Sequence, residues 1–249
     1  MKSGLSHNMV PLKPVLRTAR DLVYRVIYRG TGRVCPVCDN QVREFAPFGI
    51  ERRSDAMCPH CGALERHRLL WLFFERHTDL FDGRPKRMLH IAPERSLASR
   101  LRQRLDGGYL SGDLHDPKAD IKLDVTQIDF PADTFDVIYC SHVLEHVPDD
   151  RRAMAEMWRV LKPSGWAVII VPVTSEATFE DPSVIDPAER LRLFGQQDHV
   201  RRYGPDVASR LIDAGFDVRL FGPLDVADEM EMQLFGLAGG GDIFCCTKA

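Results

Sequence analysis

The chain has 249 residues, room for one large domain or a catalytic domain with a small attached module. Its hydrophobic fraction of 44% supports an ample core, and a net charge of -3 excludes a polyanion binder that works by overall charge alone. No run is apolar for long enough to span a bilayer, and arginines interrupt every apolar run near the start, so no secretory pattern is present. A cytoplasmic location follows by default. Thiols stay reduced there, and paired cysteines then point to metal rather than to disulfides.

Residues 1–33 form a basic first segment. Lys2, Lys13, Arg17, Arg20, Arg25, Arg29 and Arg33 are accompanied by a single acid, Asp21. This asymmetry leaves a local contact with nucleic acid, phosphate or an anionic membrane open beside the plainer reading of a solvated basic face. Val15–Tyr28 reads as a short amphipathic helix, with Val15, Leu16, Leu22, Val23, Val26 and Ile27 apolar among arginines. Packing on the main body is the plain expectation. A membrane-surface anchor is the alternative, and it calls for a longer apolar face.

Residues 34–83 form a second unit, a cysteine module followed by a helix. Cys35-Pro-Val-Cys38 and Cys58-Pro-His-Cys61 give C-x2-C-x19-C-x2-C, a zinc-ribbon spacing. Each C-x2-C turn presents two thiolates to one side, and two such turns complete a tetrahedron. Four thiolates leave no open position for water, so the expected zinc is structural. A redox-active pair is the competing reading, and His60 competes for the metal. Modules of this kind grip nucleic acid or a partner protein, or serve only as a rigid spacer. Arg43, Arg52, Arg53, Arg66 and Arg68 in or beside the module keep the nucleic-acid contact open. The helix is expected over Ala63–His77, with Leu64, Leu69, Leu70, Leu72 and Phe73 as its stripe, and Gly83-Arg84-Pro85 breaks the chain.

Residues 84–249 form the third unit, alternating strand and helix. Strands are expected at Arg87–Ile91, Tyr109–Asp113, Ile121–Asp124, Phe135–Cys140, Trp166–Val171, Asp217–Phe221 and Asp242–Thr247. Helices are expected at Glu94–Leu105, Asp149–Leu161 and Asp206–Ala214, the last closed by Gly215. The alternation argues for a mostly parallel sheet with helices on both faces. Cys140, Cys245 and Cys246 lie in apolar strands and read as core. The connections 173–204 and 222–241 are long enough to carry function.

Two stretches, IKLDVTQIDFPADTFDVIYCSHVLEHV and MAEMWRVLKPSGWAVIIVP, make the third unit resemble the class I S-adenosylmethionine-dependent methyltransferases of the type 11 subgroup. The resemblance implies an α/β, Rossmann-like seven-stranded sheet ending in an antiparallel hairpin, with S-adenosylmethionine as donor. It assigns Asp113, at the end of the second strand, to the ribose hydroxyls, and Asp124 with Val125 to the adenine. Cys140, Ser141 and His142 become the floor of the donor site, His142 touching donor or substrate, while Glu145 and His146 brace the next helix. The family's D-x-G-x-G-x-G loop is absent. Leu89-His90-Ile91-Ala92-Pro93-Glu94-Arg95 stands there, putting His90, Ala92 and Glu94 beside the donor, with Glu94 facing its amino group or sulfonium. His142-Val-Leu-Glu145-His146 also matches the H-x-x-E-H protease pattern, and its place after a buried strand speaks against that use.

The acceptor side is expected in RLRLFGQQDHVRRYG, residues 190–204. His199 is the candidate general base, and Arg201 or Arg202 the candidate hand for an anionic acceptor. A purely structural loop is the plain alternative. The leading reading is methyl transfer to an oxygen or nitrogen of a small molecule, with a sugar-like acceptor among the options. The alternatives are an RNA or protein methyltransferase gripping its polymer through the zinc module, and a non-catalytic scaffold on the same fold.

Overall fold

A computed structural model describes residues 22–49 and 52–248. The chain opens with helix α1 (residues 22–27) and two short antiparallel hairpins, β1 (Arg33–Val34) with β2 (Gln41–Val42) and β3 (Ala46–Phe48) with β4 (Arg53–Met57). The expected helix at 15–28 is described only in this last part, where Leu22, Val23, Val26 and Ile27 stay exposed rather than packed on the body. Lys2, Lys13, Arg17 and Arg20 lie outside the described residues.

Helix α2 (Glu65–His77) comes next, then β5 (Met88–Ile91), α3 (Arg95–Leu105), β6 (Tyr109–Asp113), β7 (Ile121–Lys122), β8 (Phe135–Ser141), α4 (Asp150–Val160) and β9 (Leu161–Ile170). The expected strand at Trp166–Val171 starts earlier because Leu161 pairs with Phe135 before a bulge. The connection 173–204 holds β10 (Phe179–Glu180), α5 (Pro187–Phe194) and β11 (Arg201–Arg202). After it come α6 (Val207–Asp213), β12 (Phe216–Phe221), α7 (Pro223–Val226), α8 (Glu229–Leu234) and β13 (Ile243–Lys248). Among the described residues no helix is long and apolar enough to cross a membrane.

One seven-stranded sheet dominates, in the order β12-β13-β9-β8-β5-β6-β7. The β9-β8-β5-β6-β7 part is parallel, and β13 runs antiparallel to both its neighbours, completing the terminal hairpin. The central strands alternate between two cores. Val137 and Tyr139 of β8 face one, and Phe135, Ile138 and Cys140 the other. Burial on both faces explains why these strands read as unbroken apolar runs. α4 and α6 cover one face through Ala153, Met154, Met157, Val207 and Leu211. α6 ends at Gly215, which takes the left-handed φ of +104° that a side chain disfavours, and its carbonyl accepts Trp158 Nε1–H at 2.9 Å.

The opposite face is covered by α2 and α3. Residues 67–74 of α2 are buried without a break, because the helix is pressed between the cysteine module and the sheet. Phe74 meets Tyr139 of β8 edge-on at 5.9 Å, and Phe73 meets Phe221 of β12 at 5.0 Å. The break at Gly83 therefore separates chain segments but not cores. Arg68 is fully buried here, over the Phe45 ring at 3.7 Å. Its guanidinium donates to the carbonyls of Ala56, Ala63, Phe235 and Gly236, tying the module to the 222–241 connection. It is a structural staple and not an available nucleic-acid contact.

Candidate active site and cysteine cluster

Strand order reverses between β5 and β8, since the chain leaves β5 toward β6 on one side and returns through β8 on the other. Ligands of open α/β sheets bind at such a point, beyond the carboxyl ends of the strands. A cleft of about 520 Å³ lies there, lined among others by Ala92, Asp113, Asp124, Val125 and His142. Both turns that frame it are sharp: Ala92 after β5 and His142 after β8 hold left-handed φ angles of +51° and +54°. Ala92 is anchored by its N–H on the Gly112 carbonyl, and His142 by its N–H on the Ile170 carbonyl. Ala92 thus adopts the conformation for which glycine is the usual residue.

The two carboxylates on the cleft wall are already oriented. Asp113 Oδ1 accepts the backbone N–H groups of His115 at 2.6 Å and Asp116 at 2.7 Å. Asp124 Oδ1 accepts from the Thr126 N–H and hydroxyl, and these bonds hold its carboxyl below the usual range. In each case Oδ1 fixes the loop.

The remaining donor-side candidates do not line this cleft. His90 is fully buried, between Tyr109 Oη at 2.8 Å and Glu94 Oε2 at 2.8 Å. Glu94 Oε1 accepts from the Tyr139 hydroxyl at 2.8 Å, and His67 Nε2 stands 3.7 Å away. Burial alone would push the Glu94 carboxyl up. The neighbouring imidazoles and the tyrosine hydroxyl outweigh it and hold the carboxyl at about 2. Both its oxygens are therefore engaged within the protein. Cys140 and Ser141 are buried at the strand end, with Ser141 Oγ lacking a hydrogen-bond partner.

A second recess of about 240 Å³ adjoins the first and shares His142 with it. His199, Arg202, Thr174 and Phe194 are among its walls. His199 Nδ1 lies 3.2 Å from the Phe194 carbonyl, to which it donates, so Nε2 carries the lone pair. Burial, followed by the nearby His146, lowers the pKa of His199, which disfavours the protonated ring. Arg201 is not free for an anionic acceptor. It is buried, donates to the carbonyls of Leu144, Val147 and Pro148, and pairs with Glu180 at 2.8 Å. Arg202 reaches only the Thr174 hydroxyl and carbonyl and remains part of the recess wall.

Glu145 and His146 do not brace α4. Asp149 caps that helix by accepting the Arg152 N–H at 2.9 Å. Glu145 is buried against His199, and the His146 and His199 rings meet edge-to-face at 4.6 Å. The H-x-x-E-H stretch is a turn and not a helix, so it cannot present two histidines one turn apart as a zinc protease does. The motif was the signal in the sequence, and its meaning depended on a third residue more than fifty positions away.

Cys35, Cys38, Cys58 and Cys61 converge, with their sulfurs all within 4.8 Å of one another. The Cys35–Cys61 and Cys38–Cys58 Sγ pairs stand 3.7 and 3.8 Å apart. With Zn–S bonds of about 2.3 Å, a tetrahedron places its sulfurs roughly 3.8 Å apart, so the cluster fits that ion. The two turns match: Asp39 and Gly62, each directly after the second cysteine, share a left-handed φ of +59° and +79°. Asn40 Nδ2 donates to Cys38 Sγ at 3.4 Å. His60 is not part of the cluster among the described residues.

No curated protein matches the chain. Among solved structures, an S-adenosylmethionine-dependent methyltransferase from Mesorhizobium loti is 17% identical at a TM-score of 0.48, covering 72% of this chain and 97% of its own. The YcgJ protein from Bacillus subtilis is 16% identical at a TM-score of 0.45, covering 74% of this chain and 99% of its own. The [4+2]-cyclase SpnF is 12% identical at 0.47, covering 94% of this chain and 95% of its own. Residues 86–169 match the family model described as a methyltransferase domain. That match falls on the strands bordering the cleft, so residues 86–169 carry a methyltransferase domain, set here in a seven-stranded sheet that ends in an antiparallel hairpin.

Proposed function

We propose that the protein transfers the methyl of S-adenosylmethionine to an oxygen or nitrogen of a small-molecule acceptor. The observation that carries this reading is the pair of joined cavities. One lies at the sheet's switch point with Asp113 and Asp124 on its wall, and the other holds a neutral His199 across His142. A cleft of about 520 Å³ suits a ligand the size of the donor. In this arrangement Asp113 takes the ribose, Asp124 and Val125 border the adenine, and Ala92 and His142 form the floor, with His90, Cys140 and Ser141 buried behind it. Glu94 acts from behind, holding His90 and Tyr139.

Methyl transfer is an in-line displacement, so positioning supplies most of what the protein contributes. The adjoining recess, at about 240 Å³, favours a small acceptor. His199 is the acceptor-side activating residue, since its unprotonated Nε2 can relieve the attacking atom of its proton. The three chain units keep separate roles: 1–33 as a basic segment, 34–83 as a rigid attachment held by structural zinc on the four cysteines, and 84–249 as the catalytic sheet. A cytoplasmic setting belongs to the same reading, since it would keep the four thiols free for zinc.

Calorimetry with S-adenosylmethionine tests the reading. Binding to the full chain is expected, and its absence at millimolar donor would leave the non-catalytic scaffold. His199→Ala is expected to keep donor affinity and to lose turnover on the true acceptor. A polymer acceptor is favoured by one observation, the exposure of Arg43 and Arg52 on the cysteine module. Salt-sensitive RNA binding by the full chain, lost on charge reversal at those two positions, would select it.

A further inference from the structure

We propose that Glu145, His146 and His199 bind a first-row divalent cation at the wall between the two cavities. This rests on reading the His199 recess as the acceptor side. The three residues each offer one ligand atom, and these atoms lie within 4.8 Å of one another. Ligands of a four- to six-coordinate first-row ion stand roughly 3 Å apart, so small side-chain rotations close the set. Two histidines and one carboxylate suit Mn2+, Fe2+, Co2+ or Zn2+ and leave open positions.

Two unpartnered buried atoms point to the ion independently of that clustering. Glu145 is 1% exposed and its Oε2 has no hydrogen-bond partner; His199 is 6% exposed and its Nε2 has none either. A buried carboxylate oxygen beside a buried lone pair is costly unless something positive lies between them. The outer atom of each ligand is meanwhile held. His199 Nδ1 donates to the Phe194 carbonyl at 3.2 Å, and His146 Nδ1 pairs with Asp198 Oδ2 at 3.3 Å. Glu145 Oε1 pairs with His142 Nδ1 at 3.2 Å. Metal-bound histidines show this arrangement, one ring nitrogen on a carbonyl or carboxylate and the other on the metal. The backbone holds the two segments in register, the Val200 N–H donating to the Glu145 carbonyl at 2.9 Å.

The site borders His142, which lines both cavities. A cation there would take the acceptor's oxygen or nitrogen at an open position and lower its pKa, as a divalent ion does for bound water. His199 then acts through the ion as a ligand instead of taking the proton itself: the acidified proton leaves to solvent water, the acceptor atom takes the methyl, and S-adenosylhomocysteine departs.

The test uses the full chain loaded with a single equivalent of zinc, which the four thiolates take in preference, leaving the Glu145, His146 and His199 set for the probe. Mn2+ is the probe, because it prefers oxygen and nitrogen ligands and does not displace zinc from thiolates. Loss of the free Mn2+ electron paramagnetic resonance signal is expected to report one bound ion. Glu145→Gln and His199→Ala should each weaken binding at least about tenfold. Asp198→Asn, at an exposed position that cannot unfold the chain, should weaken it about 10- to 100-fold. Absence of Mn2+ binding at millimolar concentration, or the parent chain's affinity retained in all three variants, overturns the site. Donor calorimetry on the same zinc-loaded protein without added Mn2+ separates the failures. Donor binding without Mn2+ binding removes the cation site alone, and Mn2+ binding without donor binding removes the methyl-transfer reading.

Discussion

At the scale of single residues, two carboxylates show how differently the same side chain is used. Asp113 spends Oδ1 on two backbone N–H groups, which orients Oδ2 toward the cleft. Two ribose bonds to a charged oxygen are each worth about 1.5–3 kcal/mol, so Asp113→Ala should weaken donor binding by about 100- to 20,000-fold, read by calorimetry. Glu94 instead works inside the protein. Its folded pKa of about 2 lies below its ordinary value of 4.5. The depressed carboxyl contributes stability that is full above about pH 4.5 and is lost as pH falls toward 2, on the order of 3 kcal/mol. Denaturant melts across that range should show the loss in the parent chain and a shallower slope in Glu94→Gln. An equal slope in both would remove Glu94 as its source. The sequence showed that Glu94 replaces a glycine-loop position. It could not show that the oxygens face inward, because His90, Tyr139 and His67 come from three separate elements.

Among the elements, the strands of the sheet were readable and the helix α2 only half so. β6 was expected at Tyr109–Asp113 and lies there, because a buried parallel strand is a short apolar run closed by a polar residue. α2 was expected as an amphipathic helix with one stripe. It is instead buried all round over residues 67–74, and Arg68, which kept a nucleic-acid contact open in the sequence, is enclosed together with His67. Helical periodicity reports one partner surface, and this helix has two. Because α2 follows Cys61 directly, the cysteine cluster fixes the start of a helix that covers the sheet. Cys58→Ser should therefore lower zinc content and also destabilise the whole chain by several kcal/mol, seen as one cooperative melt at lower temperature. A separate early transition with the main melt unchanged would mean that the module folds alone. The candidate site was legible in part for the same reason. Residues at strand ends follow from the strand pattern, whereas the meeting of Glu145 with His199 depends on a connection whose path no periodicity records.

For the whole molecule, the question is where it can be divided. The chain break at Gly83 falls between units of sequence, yet Leu69, Leu70, Phe73 and Phe74 share one core with Val137, Tyr139 and Val168. A fragment 84–249 would expose that face of the sheet and is expected to aggregate or to lose cooperative melting. Cooperative unfolding of the soluble fragment, by calorimetry, would show that the sheet needs neither the module nor α2.

The Arg68 staple sets an order of events during synthesis. Two of its four acceptors, the carbonyls of Phe235 and Gly236, lie 167 and 168 residues further along the chain. At about 5–20 residues per second they leave the ribosome on the order of ten to thirty seconds after Arg68 does. Until then the guanidinium has only its nearby partners, the carbonyls of Ala56 and Ala63. The four cysteines are together early, but the seat that joins them to the 222–241 connection closes only when that connection has been made.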